Sequence, residues 1–596
     1  MSDGKSGSWA RLWSALTVTV LAVGAVFSEV PCQDVVLPIE PSATHARSDF
    51  GIVATGSEEA TEAAVGILEG GGNAIDAAVA AAVTLGVADP DASGLGGMTL
   101  MVIHLATGRN LVIDGTSPTP VGVNPRRLRE LKEAGTLVGH GLVAVPTTLA
   151  VLDRARARFG TMDMASLVAP AIKVAESGYR LNPVQIVWSD YYREELLASE
   201  SLRGIAFKDG ESAGQPGEIV CRPDLARTLR RIARDGVEVF YRGDIANEIE
   251  MDMIGNGGFL RKADLSRYRV REVRPVHTTY RGIDVFTVPP PAGGATVIEA
   301  LNILETLPRN FLAGDTVARH HALIETFRIA LADRGLTAGL GSRMYQNLSR
   351  VLSKPHARRR ARLIVPAKAI ADSDLYGPAK HPCGPVGDST TQVSVADRWG
   401  NVVSLTQTLG RSWGAKIATP GLGFPYNSLL ESFNFDKPQC PGYLRPRIPC
   451  PTDTAPTIVL AEDGSLLAAL GTPGSNLIPS IIVNVISNLV DRRMALVEAV
   501  VAPRVLFGGA KTLAPYVEVT KPITDSDLNV LEDMGHTPIE RLHYPQVTAC
   551  AVYFGGVNAV GWDSQNMTFV GVGDGRRWGS TLGARVAAES KLQEQP

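Results

Sequence analysis

The chain has 596 residues, a formal net charge of −3 and a pI near 6.4. Hydrophobic residues make up 45% and charged residues 20%, a globular composition that excludes a disordered chain. The slightly acidic balance excludes the basic footprint of a nucleic-acid binder, and the short basic run Arg358, Arg359, Arg360 and Arg362 reads as a solvated helix face.

The N-terminus stands apart. Lys5 and Arg11 precede an apolar run of about 16 residues, Leu12 to Phe27. A positive segment followed by a short apolar one is the pattern of a secretory signal, and the run is short for a bilayer span. Residues 1–33 are therefore set aside as a signal peptide, with an uncleaved membrane anchor as the alternative. Export to the periplasm or medium is the expectation, with membrane contact only if this segment is retained.

From there GIVAT (51–55) predicts a short strand and Glu58 to Leu68 has helical spacing. The Ala-rich stretch 72–87 is apolar nearly all round, which predicts a buried helix. TLMVIHL (99–105) and RNLVID (109–114) read as a strand pair turning at a Gly. Residues 145–380 read as mostly helical, broken by prolines at 289–291. The last third is β-rich, with strands expected at 390–397, 401–408, 456–463 and 465–472, helices at 477–491 and 525–534, and a late hairpin of 548–555 with 558–563. Strands beneath layers of helices predict an α+β layered fold. No repeat of solenoid length is present.

The six cysteines, Cys32, Cys221, Cys383, Cys440, Cys450 and Cys550, include no CxxC pair, which argues against zinc or thioredoxin chemistry. Export permits disulfides, and a Cys440–Cys450 bridge and free thiols both stay open. The ten histidines show no HExxH or HxH spacing, and His320–His321 reads as surface or core, so neither a metal nor a cofactor is expected. The Gly-rich SGLGG (93–97) lacks the full dinucleotide-binding pattern.

The chemistry concentrates at GDSTTQVSVADRWGNVVSLTQTLG (387–410). A threonine hydroxyl is a weak nucleophile, but an N-terminal threonine carries its own base in the α-amine. That amine titrates near pH 7.7–8.0 in model compounds, close to the best value for a general base. It exists only if the preceding peptide bond is cut. Alone, Thr-Thr at a strand start signals no more than strand propensity.

The surrounding blocks resemble the γ-glutamyltransferase family of N-terminal-nucleophile hydrolases. TTQVSVADRWGNVVSLTQT resembles the family's nucleophile region, and 53–97, 141–160, 289–305 and 455–475 resemble further blocks in the family's order. The resemblance implies a four-layer αββα sandwich and a precursor that cuts itself at Ser389–Thr390. The products would be a large chain (34–389) and a small catalytic chain (390–596) that remain together as a heterodimer acting on a small-molecule amide. It further implies Thr390 as nucleophile, Thr408 as its supporting hydroxyl, and Gly474 and Ser475 as backbone oxyanion donors.

The family's amino-acid-binding positions are altered. Thr116 stands where the family has the arginine that grips the substrate α-carboxylate, and Gly410 replaces an Asn. Ser432 stands at the ammonium-binding Asp, with Glu431 adjacent, and Thr452–Asp453 replaces a Ser-Ser pair. Without the arginine the bidentate partner of a carboxylate is gone. An amidohydrolase or acyltransferase with an altered acyl group is the expectation. Arg411 or Arg447 acting from another direction would instead preserve ordinary γ-glutamyl transfer or glutathione hydrolysis. A catalytically silent binding protein is the remaining alternative.

Overall fold

The computed structural model describes residues 43–135, 137–314, 316–337, 342–376, 389–438, 442–508, 514–518, 523–542 and 554–585. The N-terminal apolar run and Cys32, Cys383, Cys440 and Cys550 lie outside these residues. Cys221 is exposed and Cys450 buried, both as free thiols. Among the described residues no helix is long and apolar enough to cross a membrane.

Two antiparallel sheets of seven strands form the middle. The first runs, edge to edge, Ser580–Ala584, Gly51–Thr55, Ser389–Asp397, Val402–Gly410, Met98–His104, Asn110–Asp114 and Arg271–Val273. The second runs Thr44–Ser48, Thr568–Gly573, Asn558–Asp563, Leu466–Gly471, Thr457–Leu460, Ile283–Thr287 and Val276–Tyr280. Strands Ser389–Asp397 and Val402–Gly410 pack against Leu466–Gly471 of the other sheet. Helices Glu58–Glu69 and Ala74–Ala88 cover the outer face of the first sheet, and Gly294–Glu305 and Ile478–Val490 cover the second. This is the four-layer αββα sandwich.

Sequence explains each layer. All fifteen residues of Ala74–Ala88 are buried, because small side chains let the helix lie close to both the sheet and its helical neighbours. Asn73 caps it, accepting from the Ile75 and Asp76 amides, while the Asp76 carboxylate accepts from the Asn73 amide. Strand Ser389–Asp397 alternates. Val393 and Val395 join the apolar cluster under the helices, while Gln392 and Ser394 belong to the opposite, sheet-facing side. There Gln392 Nε2 donates to the Ser394 and Ser404 hydroxyls, each at 3.0 Å. The Thr406 hydroxyl donates to Gln392 Oε1, and Ser394 and Ser404 donate to the Asn558 and Leu470 carbonyls of the second sheet. The polar side chains of Gln392, Ser394, Ser404 and Thr406 in this seam thus bond one another and the second sheet, as burial requires.

Most expected elements are present within a residue or two of their predicted ends. Two expectations need correction. The middle segment carries strands at 271–273, 276–280 and 283–287; Arg281 (φ 52°) and Gly282 (φ 98°) make the tight turn of the last two. Strand Asn558–Asp563 does not hairpin with 548–555: its two edges pair with Thr568–Gly573 and Leu466–Gly471. Residues 548–553 lie outside the described set. The basic run sits on helix Lys354–Ala361 and the residue after it, with Arg358, Arg359 and Arg362 exposed. His320 and His321 are both core.

Asp397 ties the nucleophile hairpin to the helical layer. Its Oδ1 accepts from the Trp399 and Asn401 amides, and its Oδ2 accepts from the Ala74 amide at the start of the buried helix. Asp397→Ala is expected to destabilise the protein by about 1–3 kcal/mol through these orphaned donors, seen as a lower midpoint of thermal unfolding; an unchanged midpoint would remove this clamp from the account.

Candidate active site

Thr390 and Thr408 face each other across the two central strands of the first sheet. The ladder slips between Ser389 and Thr390: Ser389 pairs with Gly410 and Thr390 with Thr408, leaving Leu409 unpaired. A bulge of this kind re-aims side chains beside active sites. Here it falls on the one peptide bond that must be cut to free a Thr390 amine.

Three oxygens are strung together at that bond. The Thr390 hydroxyl donates to Thr408 Oγ1 at 3.1 Å. The Thr408 hydroxyl donates to the Ser389 carbonyl oxygen, and the Gly410 amide donates to Thr408 Oγ1 at 2.9 Å. Each hydroxyl proton has one destination, so the network fixes its own directions. Thr408 polarises the carbonyl next to Thr390 and accepts from the Thr390 hydroxyl. A hydrogen bond to that carbonyl oxygen stabilises the negative charge that an attack on its carbon would create. Thr390 is 6% exposed and Thr408 3%, so this chain of bonds is little screened by water.

Of the residues singled out from sequence, the fold gathers Thr390, Thr408, Gly410, Ser432, Thr452, Asp453 and Ser475 around one cavity of about 30 Å³. Ser389 adjoins it through its carbonyl. Gly474 stands next to Ser475 in a left-handed turn, with φ of 139° and 56° respectively. The positive φ of Gly474 is one that glycine adopts without strain. Gly410, at φ 91°, also leaves room that a side chain would fill: a Cβ there would sit 2.9 Å from Ser428 Oγ.

Two residues are placed elsewhere. Thr116 donates to Asp114 Oδ1 and lines a separate surface groove of about 390 Å³ that also contains Arg271 and Arg447. Glu431 is 4% exposed at its side chain and paired with Arg411 at 2.7 Å. Asp453, at the cavity, is paired with the buried Arg334, whose guanidinium also donates to the Thr452 carbonyl. Sequence inspection missed Arg334, because nothing in a helix 317–337 signals that its last turn reaches the cavity.

Spacing likewise gave no sign of two buried clusters, His321/Glu325/His536 and Glu299/Asp333/His356, whose ligand-type atoms lie within 4.8 Å of one another. Both are held by their own contacts: His321 Nδ1 to His536 Nε2 at 2.7 Å, and His356 Nε2 to Asp333 Oδ2 at 2.8 Å. Glu325 accepts from Arg328, and Arg360 pairs with Asp333. A guanidinium already supplies the positive charge in each.

Comparison with known proteins places these features. The sequence profile of the Gamma-glutamyltranspeptidase family matches residues 60–584. A glutathione hydrolase proenzyme of Pseudomonas sp. (strain A14) is 34% identical over 77% of this chain and 81% of its own length. The acylase ACY 1 proenzyme of Pseudomonas sp. (strain V22) is 34% identical over 87% of this chain and 91% of its own. The crystal structure of cephalosporin acylase from Bacillus halodurans superposes with a TM-score of 0.76, at 24% identity, over 93% of this chain and 99% of that one, and so shares the fold.

The geometry makes a specific demand on Thr408. Thr408→Val, equal in shape but without the hydroxyl, is expected to slow cutting of the chain at least about 100-fold, and Thr408→Ser to retain most of it, in a time course on a denaturing gel. Valine cutting as fast as wild type would show that the hydroxyl has no part.

Proposed function

The chain belongs to the gamma-glutamyltranspeptidase family, and from that premise we propose that it is a self-processing N-terminal-threonine amidohydrolase or acyltransferase whose nucleophile is Thr390. The observation that carries this is the string Thr390 hydroxyl, Thr408 hydroxyl, Ser389 carbonyl.

Processing follows from it. Thr390 Oγ1 attacks the Ser389 carbonyl carbon, the carbon–nitrogen bond breaks, and the hydroxyl proton ends on the leaving nitrogen. Water then hydrolyses the resulting ester, which leaves a Ser389 carboxylate and a Thr390 with free hydroxyl and α-amine. In the mature enzyme the amine takes the hydroxyl proton, Oγ1 attacks a substrate amide, and the amine returns the proton to the leaving group. Water or an acceptor amine releases the acyl group. The Gly474–Ser475 backbone, beside the same cavity, is suited to hold the oxyanion.

The two products are residues 34–389 and 390–596, and the first sheet draws strands from both. Strands Gly51–Thr55 and Met98–His104 of the large chain flank the hairpin of the small one in the first sheet. The N-terminal apolar pattern supports export.

The substrate is proposed to be an amide whose acyl group lacks an α-amino acid head. The charges around the site are already matched to one another: Arg411 with Glu431, Arg334 with Asp453. A substrate carboxylate and ammonium would have to break these pairs, and each unpaired buried charge costs several kcal/mol. Thr116 offers no cation, and it lines a different groove. Relatives of equal identity are named glutathione hydrolase and acylase, so the choice rests on the charges of the site. A cavity of about 30 Å³ holds little more than a water, so the acyl site must widen once Ser389 leaves.

Expressed without residues 1–33, the protein is expected to yield a small fragment beginning Thr-Thr-Gln-Val-Ser, absent from Thr390→Ala; a folded wild-type chain that stays whole would sink the reading. The processed enzyme is expected to turn over simple acyl anilides at least about 100-fold faster than glutathione, the factor expected when a charged group loses its partner. Glutathione turnover equal to or above that of the anilides would overturn the altered substrate and restore the family's γ-glutamyl preference.

A further inference from the structure

Thr390 borders two cavities. Opposite the one that holds Thr408 and Ser475 lies another, of about 20 Å³, lined by Thr390, Thr391, Asp89, Asp91, Asn558 and Arg577 among others. That volume suits a single water-sized group. It is bounded by residues that already grip the cleavage bond from both sides: Ser389 Oγ donates to the Asp91 carbonyl at 2.6 Å, and the Thr391 hydroxyl bonds the Asp89 carboxyl.

The walls carry two carboxyls, Asp89 and Asp91, which hydrogen-bond each other, and one guanidinium, Arg577. Asp91 is 2% exposed and Asn558 3%. With both carboxyls ionised, Asp91 Oδ1 and Asn558 Oδ1 are buried without a hydrogen-bond partner, whereas Asp91 Oδ2 accepts from Ser412 Oγ at 3.2 Å. Buried acceptors left empty are costly, and the two residues that carry these oxygens both line the small cavity beside Thr390. Before cleavage the Thr390 nitrogen carries one hydrogen; after cleavage it is an α-amino group with up to three.

We propose that Asp91 and Asn558 receive the α-amino group that cleavage frees on Thr390, and that Asp91 is thereby a positioning residue for the mature nucleophile. This rests on Thr390 being the self-freed nucleophile. The charge of the cavity fits the role. Burial pushes the Asp91 carboxyl up to about 6, opposed by Arg577 and the Ser412 hydroxyl. Burial and the neighbouring Asp91 hold Asp89 well above the carboxylate range. Near neutral pH the pair therefore carries about one negative charge and one proton. The groups that face Asp91 are Asp89 beyond the buried helix, Arg577 from the turn at 575–577, the Thr391 and Ser412 hydroxyls, and Tyr179 at longer range.

An ionised Asp91 stabilises the ammonium form of the Thr390 amine and so raises its pKa. Only the free amine accepts the hydroxyl proton, so the acid limb of kcat/KM follows that pKa. Removing the charge must lower it. The test compares wild type, Asp91→Asn and Asp91→Glu as full chains that process themselves, with kcat/KM on an acyl anilide measured from pH 5 to 9. Asp91→Asn is expected to process, to lose activity, and to move its acid limb down by about one pH unit, the size expected of one nearby opposite charge. Asp91→Glu is expected to keep the wild-type limb. A loss in Asp91→Asn that is uniform across pH would overturn the proposal, since a merely structural carboxylate gives that result. A folded but uncut Asp91→Asn chain would also overturn it, by placing the carboxylate in the cutting step. A wild-type chain that does not cut is distinguishable from both, because it removes the Thr390 nucleophile itself before any variant is made.

Discussion

The Thr408 hydroxyl is the constraint on which the site depends. It has one proton to give and gives it to the Ser389 carbonyl; it can therefore only accept from Thr390. That single choice orients the Thr390 hydroxyl and polarises the Ser389 carbonyl together. It also explains why the site lies on the two central strands of a sheet covered on both faces. Every residue of Ser389–Asp397 and Val402–Gly410 is buried, so neither hydroxyl loses its direction to water. The bulge between Ser389 and Thr390 then sets the reacting bond off the regular ladder, where its carbonyl is bound by a side chain rather than by the opposite strand.

The same burial governs the charges. Around Thr390, acids and bases occur as closed pairs, Arg411 with Glu431 and Arg334 with Asp453. Among the described residues these pairs are what supports the proposed loss of an amino acid head from the substrate. The other cavity beside Thr390 differs: it holds the hydrogen-bonded carboxyls of Asp89 and Asp91 with Arg577.

Much of this was legible in the sequence, for identifiable reasons. The central hairpin announced itself by alternation and a Gly-Asn turn, and the buried helix by its alanines. Thr390 and Thr408 were singled out by the family resemblance of their segment, and the short turn between their strands sets the register that brings them together. Arg334 and Asp91 were not found, because their positions depend on how a helix end and an interhelical loop pack onto the hairpin, and no local pattern encodes that. Strands 276–280 and 283–287 were missed although the Arg281–Gly282 turn was readable; flanking helices masked it. The late hairpin failed for a different reason: adjacency in sequence favoured 548–555, whereas both edges of Asn558–Asp563 are taken by other strands.

The account stands or falls on a covalent bond to one oxygen. The most direct measurement is to quench the processed enzyme during turnover of an acyl anilide and map the small chain by peptide mass spectrometry. The account predicts the acyl mass on the N-terminal peptide, at the Thr390 hydroxyl, and its disappearance when a strong acceptor amine is added before the quench. An acyl group found on another side chain, or turnover that proceeds undiminished with Thr390 replaced by alanine, would contradict it.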